Sequence, residues 1–254
     1  MAVEDLGHTV RPCYPSLTAI VPEGYKVIPP RMPKGTLNGH IDRDFPLSDW
    51  GRSLCGCSLK NVEATAYAGI NLLQSEFGDM DFTDGGLEGP IGFRLSRSCV
   101  KGIVNGNRIS LVLDLKPAVP QDQLAARIES FGDLPPKVLL QKLLPTEIID
   151  GFKASAPQVF SGKKIDPAAL AAALKGWKMN IDGFVGYERC VVTAGGVDTD
   201  EIIPKSMESR INPGLYICGE LLDVDCDTGG YNLHCAFATG YLAGCRAAAA
   251  LSRK

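Results

Sequence analysis

No run of clustered lysine and arginine interrupts this 254-residue chain, and its 26 basic and 29 acidic residues leave a formal charge of −3 and an isoelectric point near 5.7. Nucleic acids and anionic membranes reward basic stripes, so neither is expected as a partner. A secretory signal is also missing. The nine cysteines are odd in number and scattered, which points to a reducing cytoplasm. Zinc spacing is lacking too: Cys55-Gly-Cys57 has one intervening residue and no second pair answers it, so no metal is expected. Most of the thiols should then serve as small buried hydrophobes, Cys218 among them. Histidine is scarce, at three residues, and no nucleophile is partnered to any of them by motif. His234 reads as a packed or partly exposed polar residue, and no residue can be assigned as catalytic. Absent as well is a Gly-x-Gly-x-x-Gly turn between a strand and a helix. Gly85 to Gly89 and Gly102 to Gly106 are the nearest glycine pairs, and neither has the required setting.

At 45% hydrophobic, the chain can bury a substantial core in one or two domains. Ala2 to Leu6 followed by Gly7 reads as the last turn of a helix with its terminal glycine, as though the chain began in the middle of a structure. His8-Thr-Val resembles a strand. From Pro12 to about Pro46, proline and glycine (Ile28-Pro-Pro30, Met32-Pro-Lys-Gly35) indicate extended or loop structure and a domain boundary. Strands are expected over residues 54–62, 78–83 and 109–115, with 64–73 as a further strand or edge, and Asn105-Gly106 reads as a hairpin turn. Gly89-Pro90 can open a helix over 91–100. Helical periodicity then covers 120–130 and 135–144. Residues 166–176 carry an N-cap Asp166, Pro167 in the first turn and a closing Gly176. Strands are expected again over 177–183 and 187–193, the latter ending at Ala194-Gly195-Gly196.

Function concentrates in residues 212–240. Pro213-Gly214 reads as a turn, 215–218 as a short buried strand and Gly219-Glu220 as its sharp end. An acidic loop follows, and Gly229-Gly230 opens a helix that runs to the Ala-rich end, with Asp227 or Thr228 as N-cap. The first turn of a helix carries open N–H donors and the positive end of the macrodipole, and two glycines let a ligand approach. Glu220 can accept hydrogen bonds from ligand hydroxyls. Asp223, Asp225 and Asp227 either do the same or are simply solvated. On spacing alone, a structural Gly-rich helix start is as good a reading as a binding site. The helix itself, interrupted by His234 and Arg246 and lined by Gly240, Ala243, Gly244 and Ala247, reads as buried against a sheet and not transmembrane.

Gly214-Leu-Tyr-Ile-Cys-Gly-Glu-Leu-Leu-Asp-Val-Asp, Gly229-Gly-Tyr-Asn-Leu, Val192-Thr-Ala-Gly-Gly-Val-Asp and Ile203-Pro-Lys-Ser-Met-Glu-Ser together resemble the BaiN/YhiN-like bacterial flavoproteins, a group that includes aminoacetone oxidases. The resemblance implies an FAD site in which Glu220, with Gly219 and Asp223, lies near the ribityl or pyrophosphate. It also implies that Gly229, Gly230, Tyr231, Asn232 and Leu233 lie at the pyrimidine edge, and that Ala194, Gly195 and Gly196 pass the isoalloxazine ring. The loop Phe82-Thr-Asp-Gly-Gly-Leu-Glu-Gly-Pro90 resembles a family pattern, Phe-Thr-His-x-Gly-x-Ser-Gly-Pro. Asp84 stands here in place of the His and Glu88 in place of the Ser.

The fold class implied is mixed α+β or α/β. A remnant of an FAD-binding domain (1–20) and its C-terminal strand-loop-helix part (189–254) of Rossmann-like type would flank a β-rich insertion domain with a helical layer (21–188). The function implied is an FAD-dependent oxidoreductase of a small organic substrate, with NAD(P)H as electron donor. Without the pyrophosphate turn, FAD should be held weakly or not at all by this chain alone, and a separate nucleotide-binding half is an expected partner. An inactive or split fragment, or a binding module without enzymatic activity, are the alternatives.

Overall fold

The computed structural model describes residues 2–29, 37–162 and 164–252. Pro30 and the Met32 to Gly35 segment lie outside the described residues. In chain order the elements are α1 (Ala2–Asp5), β1 (Val10–Ser16), β2 (Ile20–Pro22), α2 (Asp49–Leu54), β3 (Ser58–Ala68), β4 (Asn71–Phe82), β5 (Leu87–Glu88), α3 (Gly89–Val104) and β6 (Ile109–Asp114). They continue as α4 (Gln121–Ser130), α5 (Pro136–Gln141), α6 (Ile149–Ser155), α7 (Pro157–Phe160), α8 (Pro167–Lys175), β7 (Trp177–Phe184), β8 (Val192–Val197), β9 (Ile202–Ile203), β10 (Glu208–Ser209) and α9 (Gly229–Leu251). This is a mixed α and β chain, and it divides into two compact units: Thr18–Arg189, and Met1–Leu17 together with Cys190–Lys254.

The unit Thr18–Arg189 is built on a closed antiparallel barrel with strand order β2-β5-β4-β3-β6-β7. Closure leaves no open sheet edge, and one face of each strand fills the interior. Leu59, Ala64, Ala66, Met80, Phe82, Leu111, Leu113, Trp177 and Met179 are all buried, at alternate positions along their strands. Helix α3 begins at Gly89 with Pro90 in its first turn and buries Ile91, Leu95, Cys99 and Ile103 at every fourth position. Burial pushes the Cys99 thiol up to about 12, so it is an inert packing group. Asp166 caps α8 by accepting from the Ala168 N–H at 3.1 Å, and Leu170, Ala171 and Leu174 form its inner face.

Four local expectations need correction here. Residues 54–57 are the end of α2 and a turn, and β3 starts only at Ser58, because Ser48 caps α2 by accepting from the Gly51 N–H at 3.0 Å. Residues 64–68 continue β3, while β4 begins at Asn71. Asn105-Gly106 is not a hairpin: Gly106 N–H donates to the Ile103 carbonyl at 2.9 Å and Asn107 N–H to Gly102 at 3.0 Å, the paired bonds of a Schellman helix end. Residues 187–191 are not a strand either, since Arg189 N–H closes a turn onto Gly186 at 3.2 Å and β8 begins at Val192.

In the other unit, β1 pairs antiparallel with β8 alone, and that edge position tolerates Pro12 and Pro15. Gly195 and Gly196 lie inside β8, not beyond its end, with φ of +86° and +130°. A Cβ on Gly195 would stand 2.4 Å from the Pro12 carbonyl oxygen, and one on Gly196 would stand 2.6 Å from that of Leu221. The glycines therefore admit the chain's own backbone from two sides. A small core of Val3, Val197, Ile202, Met207, Ile217, Leu222 and Ala243 closes this unit.

His8 stitches it together from the inside. Its Nδ1 lies 2.8 Å from the Glu201 carboxylate and its Nε2 lies 2.9 Å from Ser209 Oγ. Ser209 Oγ also accepts from the Ile211 and Asn212 N–H groups at 3.0 and 2.8 Å. Its hydroxyl hydrogen must therefore go to Nε2, which places the imidazole proton on Nδ1, facing Glu201. The order Ser-His-Glu matches that of a nucleophilic triad, but Ser209 is 3% exposed and its lone pairs are filled, so the arrangement is structural. Hydrogen bonds from Thr9 and His8 outweigh desolvation and hold the Glu201 carboxyl below its ordinary range.

Replacing Gly195→Ala should cost about 3 kcal/mol, from left-handed backbone strain plus an overpacked contact, measured as a shift in urea midpoint. A loss under about 0.5 kcal/mol would remove the close-approach argument. Ser209→Ala leaves two amides and an imidazole nitrogen unpaired and should cost about 3 kcal/mol in the same measurement. The contribution of Glu201, a carboxyl depressed in the folded state, is present above the ordinary carboxylate pKa and is lost as pH falls through the folded value. Thermal unfolding of Glu201→Gln should therefore depend less on pH across the acidic range than that of the parent.

Candidate functional site

A cavity of about 270 Å³ in the Met1–Leu17/Cys190–Lys254 unit is lined by Val191, Val192, Gly219, Glu220, Val224, Gly229, Asn232, Leu233, Cys235 and Ala236. It brings together the turn at residue 220 and the mouth of α9. Six expected residues therefore gather around it or at its edge: Gly219, Glu220, Gly229, Asn232 and Leu233 in the lining, and Gly230 beside them in the first helical turn.

Each is positioned by local chemistry. Gly219, at φ +67°, starts a single 3₁₀ turn (Gly219–Leu221), and its N–H donates to Thr239 Oγ1 on α9 at 3.0 Å. That bond anchors the turn to the helix. Glu220 Oε1 accepts from the Thr193 N–H of β8 at 2.5 Å, so one carboxylate oxygen holds the turn against the strand while the residue stays exposed. Thr228, not Asp227, is the N-cap of α9, accepting from the Tyr231 N–H at 3.4 Å. Asn232 N–H already closes onto the Thr228 carbonyl at 3.2 Å. The remaining donors of the first turn are the Gly229 and Gly230 amides. A Cβ on Gly229 would come within 3.1 Å of Val191, so this glycine keeps the helix mouth open beside β8.

The Asn232 side chain faces its own loop. Its amide accepts from the Cys226 N–H and donates to the Cys226 and Thr228 carbonyls, at 3.0, 3.0 and 2.8 Å. It acts as a staple that shapes residues 226–232. Ala194, Gly195 and Gly196 are buried in β8 and do not line the cavity, though Val192, in the same strand, does. Asp223 is exposed and outside the lining; its N–H donates to the Val197 carbonyl at 2.9 Å. Asp225 accepts from Ser16 Oγ at 2.8 Å, so part of the acidic loop is tied to β1 and not simply solvated. Tyr231 is exposed on the helix surface.

Three further readings are corrected. Residues 215–218 form no strand: Tyr216 makes one isolated bridge to Glu208, and only Ile217 of the four is buried. Helix α9 is not buried, because among its residues only Ala243 is; Leu233, Phe237 and Tyr241 are 60, 73 and 78% exposed, and a Cβ on Gly240 or Gly244 would meet nothing within 4 Å. No helix among the described residues is long and apolar enough to cross a membrane. Of the cysteines, only Cys57 and Cys99 are buried, and Cys218 is half-buried.

Sequence reasoning missed the partner of the unusual loop in the Thr18–Arg189 unit. Arg189 donates from Nε to Glu88 at 2.5 Å, from Nη2 to Glu88 at 3.2 Å and from Nη1 to Asp84 at 2.7 Å. The hydrogen bond to Glu88 is the main cause that raises the guanidinium pKa above its ordinary value. The two acids that replace His and Ser in the resembled pattern are thus matched to one cation. Two acidic replacements four residues apart in one loop, Asp84 and Glu88, were the available signal for such a partner.

Comparison with known proteins accords with this architecture. A family described as the HI0933-like protein Rossmann domain matches residues 2–246. The chain is 35% identical over 198 residues to the 3-dehydro-bile acid delta(4,6)-reductase of Clostridium scindens, covering 74% of this chain and 48% of that protein. It is 32% identical over 165 residues to the ribosomal RNA dihydrouridine synthase of Escherichia coli, covering 63% and 40%. For the protein of the same description from Haemophilus influenzae the identity is 30% over 197 residues, covering 74% and 46%. The chain spans about half the length of these curated relatives. With the match extending over nearly its whole length, the chain belongs to the HI0933-like Rossmann-domain family, the BaiN/YhiN-like group of FAD oxidoreductases.

Proposed function

We propose that this chain forms the ring-binding side of an FAD-dependent reductase, NAD(P)H-linked, that saturates a carbon–carbon double bond conjugated to a carbonyl. The observation that carries the reading is the meeting of Glu220 with the open amides of α9 around one cavity of about 270 Å³. When bound, the flavin supplies hydride transfer. The residues of this chain then have limited, definable tasks. Gly229 and Gly230 offer N–H donors and the positive helix end to an electron-rich ring edge. The second oxygen of Glu220 accepts from ligand hydroxyls, while the Thr193 N–H holds the first. Val191, Val192, Leu233 and Ala236 supply an apolar wall that excludes water.

The substrate class rests on the relatives' names. A 3-dehydro-delta(4,6) bile acid and the uracil ring of RNA both contain a carbon–carbon double bond conjugated to a carbonyl, and reduction of that bond is common to the two descriptions. The net charge of −3 favours a free small molecule over RNA as the substrate of this chain.

A cavity of about 270 Å³ is at the lower limit of small-molecule sites, which run from roughly 300 Å³ upward. It suits a ring system and not the whole of a dinucleotide. This supports weak FAD retention by these residues alone and a nucleotide-binding half as partner. The exposed row Leu233, Phe237 and Tyr241 along α9 supports the same conclusion, since layered α/β folds cover such helix faces.

Titrating FAD into the purified chain should give no stoichiometric yellow complex. Mixing it with a separately produced nucleotide-binding half should give one, with NADPH oxidised in the presence of a steroid-type enone. Phe237→Asp should abolish that assembly without lowering the thermal midpoint of the chain itself. Gly230→Val, which fills the helix mouth, should weaken FAD binding in the assembly at least about tenfold, or about 1.4 kcal/mol. Undiminished flavin content in Gly230→Val would sink the placement of the ring edge, and a stable yellow complex without any partner would sink the need for a second half.

A further inference from the structure

A second cavity, of about 320 Å³, lies in the Thr18–Arg189 unit, where both exposed and inward-facing residues of β7 reach it, Met179 among the latter. Its lining includes Trp50 of α2, Lys178 and Asn180 of β7, Glu23, and Ser155 at the end of α6. None of these residues belongs to the cavity at the mouth of α9.

The arrangement is rigid where a ligand would need it to be. Trp50 Nε1 donates to the Gly151 carbonyl at 3.0 Å, and its ring stands edge-on to Tyr25, with centroids 5.9 Å apart at 88°. The indole is therefore fixed from two directions while remaining only half-buried. Strand alternation points Lys178 and Asn180 away from the barrel interior, on the same side of β7, while Trp177 and Met179 point inward. Asn180 Nδ2 donates to Glu23 Oε2 at 2.8 Å, and the Glu23 N–H donates to the Asn180 carbonyl at 2.9 Å. The first bond orients the side-chain amide and the Glu23 carboxylate, and it leaves Asn180 Oδ1 and the second oxygen of Glu23 as acceptors. Lys178 makes no ion pair among the described residues. Ser155 is already committed, accepting from Trp177 Nε1 at 2.7 Å and donating to the Phe152 carbonyl at 2.9 Å.

A fixed aromatic face, two oriented acceptors and an exposed, uncommitted ammonium around one hollow are complementary to a flat ring that carries N–H donors and an anionic group. The geometry points to a nucleotide-binding site here: the base stacks on Trp50, its N–H groups donate to Asn180 Oδ1 and Glu23, and the phosphate pairs with Lys178. The site is independent of the flavin reading, because it uses no residue of that cavity and needs no bound flavin.

Tryptophan emission reads it directly, since the chain has two tryptophans and Trp177 is only 3% exposed. Uridine 5′-monophosphate, NADP⁺ and a short single-stranded oligonucleotide are each titrated into the full chain, with ribose 5-phosphate as the ring-free control. Saturable quenching by a nucleotide and none by ribose 5-phosphate is expected, with the quenching lost in Trp50→Phe and affinity falling about tenfold in Lys178→Glu. Tighter binding of NADP⁺ than of the mononucleotide identifies the cofactor as the source of the nucleotide, and tighter, steeply salt-dependent binding of the oligonucleotide identifies a strand. No saturable quenching at millimolar nucleotide, equal binding of ribose 5-phosphate, or quenching that survives in Trp50→Phe would overturn the site. Circular dichroism of the two variants keeps the result readable, because both substitutions sit on half-buried or exposed positions and should leave the spectrum unchanged.

Discussion

The approach of the β8 backbone to two other stretches of chain, possible only because residues 195 and 196 have no side chain, is the constraint on which the candidate flavin site depends. Pro12 presses on one of these glycines and Leu221 on the other. Strand β8 is thereby held between β1 and the turn that carries Glu220. The Thr193 N–H, just upstream, then reaches the carboxylate of Glu220, and Gly219 is tied to α9 through Thr239. The acceptor and the helix mouth come to share a cavity through this chain of short contacts, each set by backbone and not by a long flexible side chain.

The two units solve the burial problem differently. Residues Thr18–Arg189 close a barrel, so every strand has two neighbours and the interior is filled by their alternating side chains. The other unit has one two-stranded ladder, a second pair of two-residue strands and a 23-residue helix with a single buried residue. Its core is a cluster of seven buried residues, and it is held at several points by polar bonds instead, among them the Ser209-His8-Glu201 line. Apolar side chains left outward along one helix are the usual mark of an interaction surface.

Arg189 illustrates how a departure from a pattern can be neutral for folding. A carboxylate in place of a hydroxyl and another in place of an imidazole would repel each other across a tight glycine loop. One guanidinium between them, donating to both, converts that repulsion into a planar set of charge-assisted bonds. The substitution and its partner lie more than a hundred residues apart, so the compensation is visible only in space.

Local signals were legible wherever the determining contacts are local. Asp166 and Pro167 announce α8, Gly89-Pro90 announces α3, and the Gly7 helix end satisfies its own carbonyls through Gly7 and His8. The same logic misread Asn105-Gly106, because a left-handed glycine serves a Schellman end as well as a hairpin, and only the neighbouring pairing decides between them. By itself the sequence determined the family, the helix start at 229 and the residues grouped near it, since those follow from ordered motifs and capping chemistry. Tertiary structure alone decided that Gly195 and Gly196 face backbone, that the Asn232 side chain bonds to its own loop, and that α9 stays exposed. Each of those outcomes depends on what comes to lie opposite, which no spacing along the chain encodes.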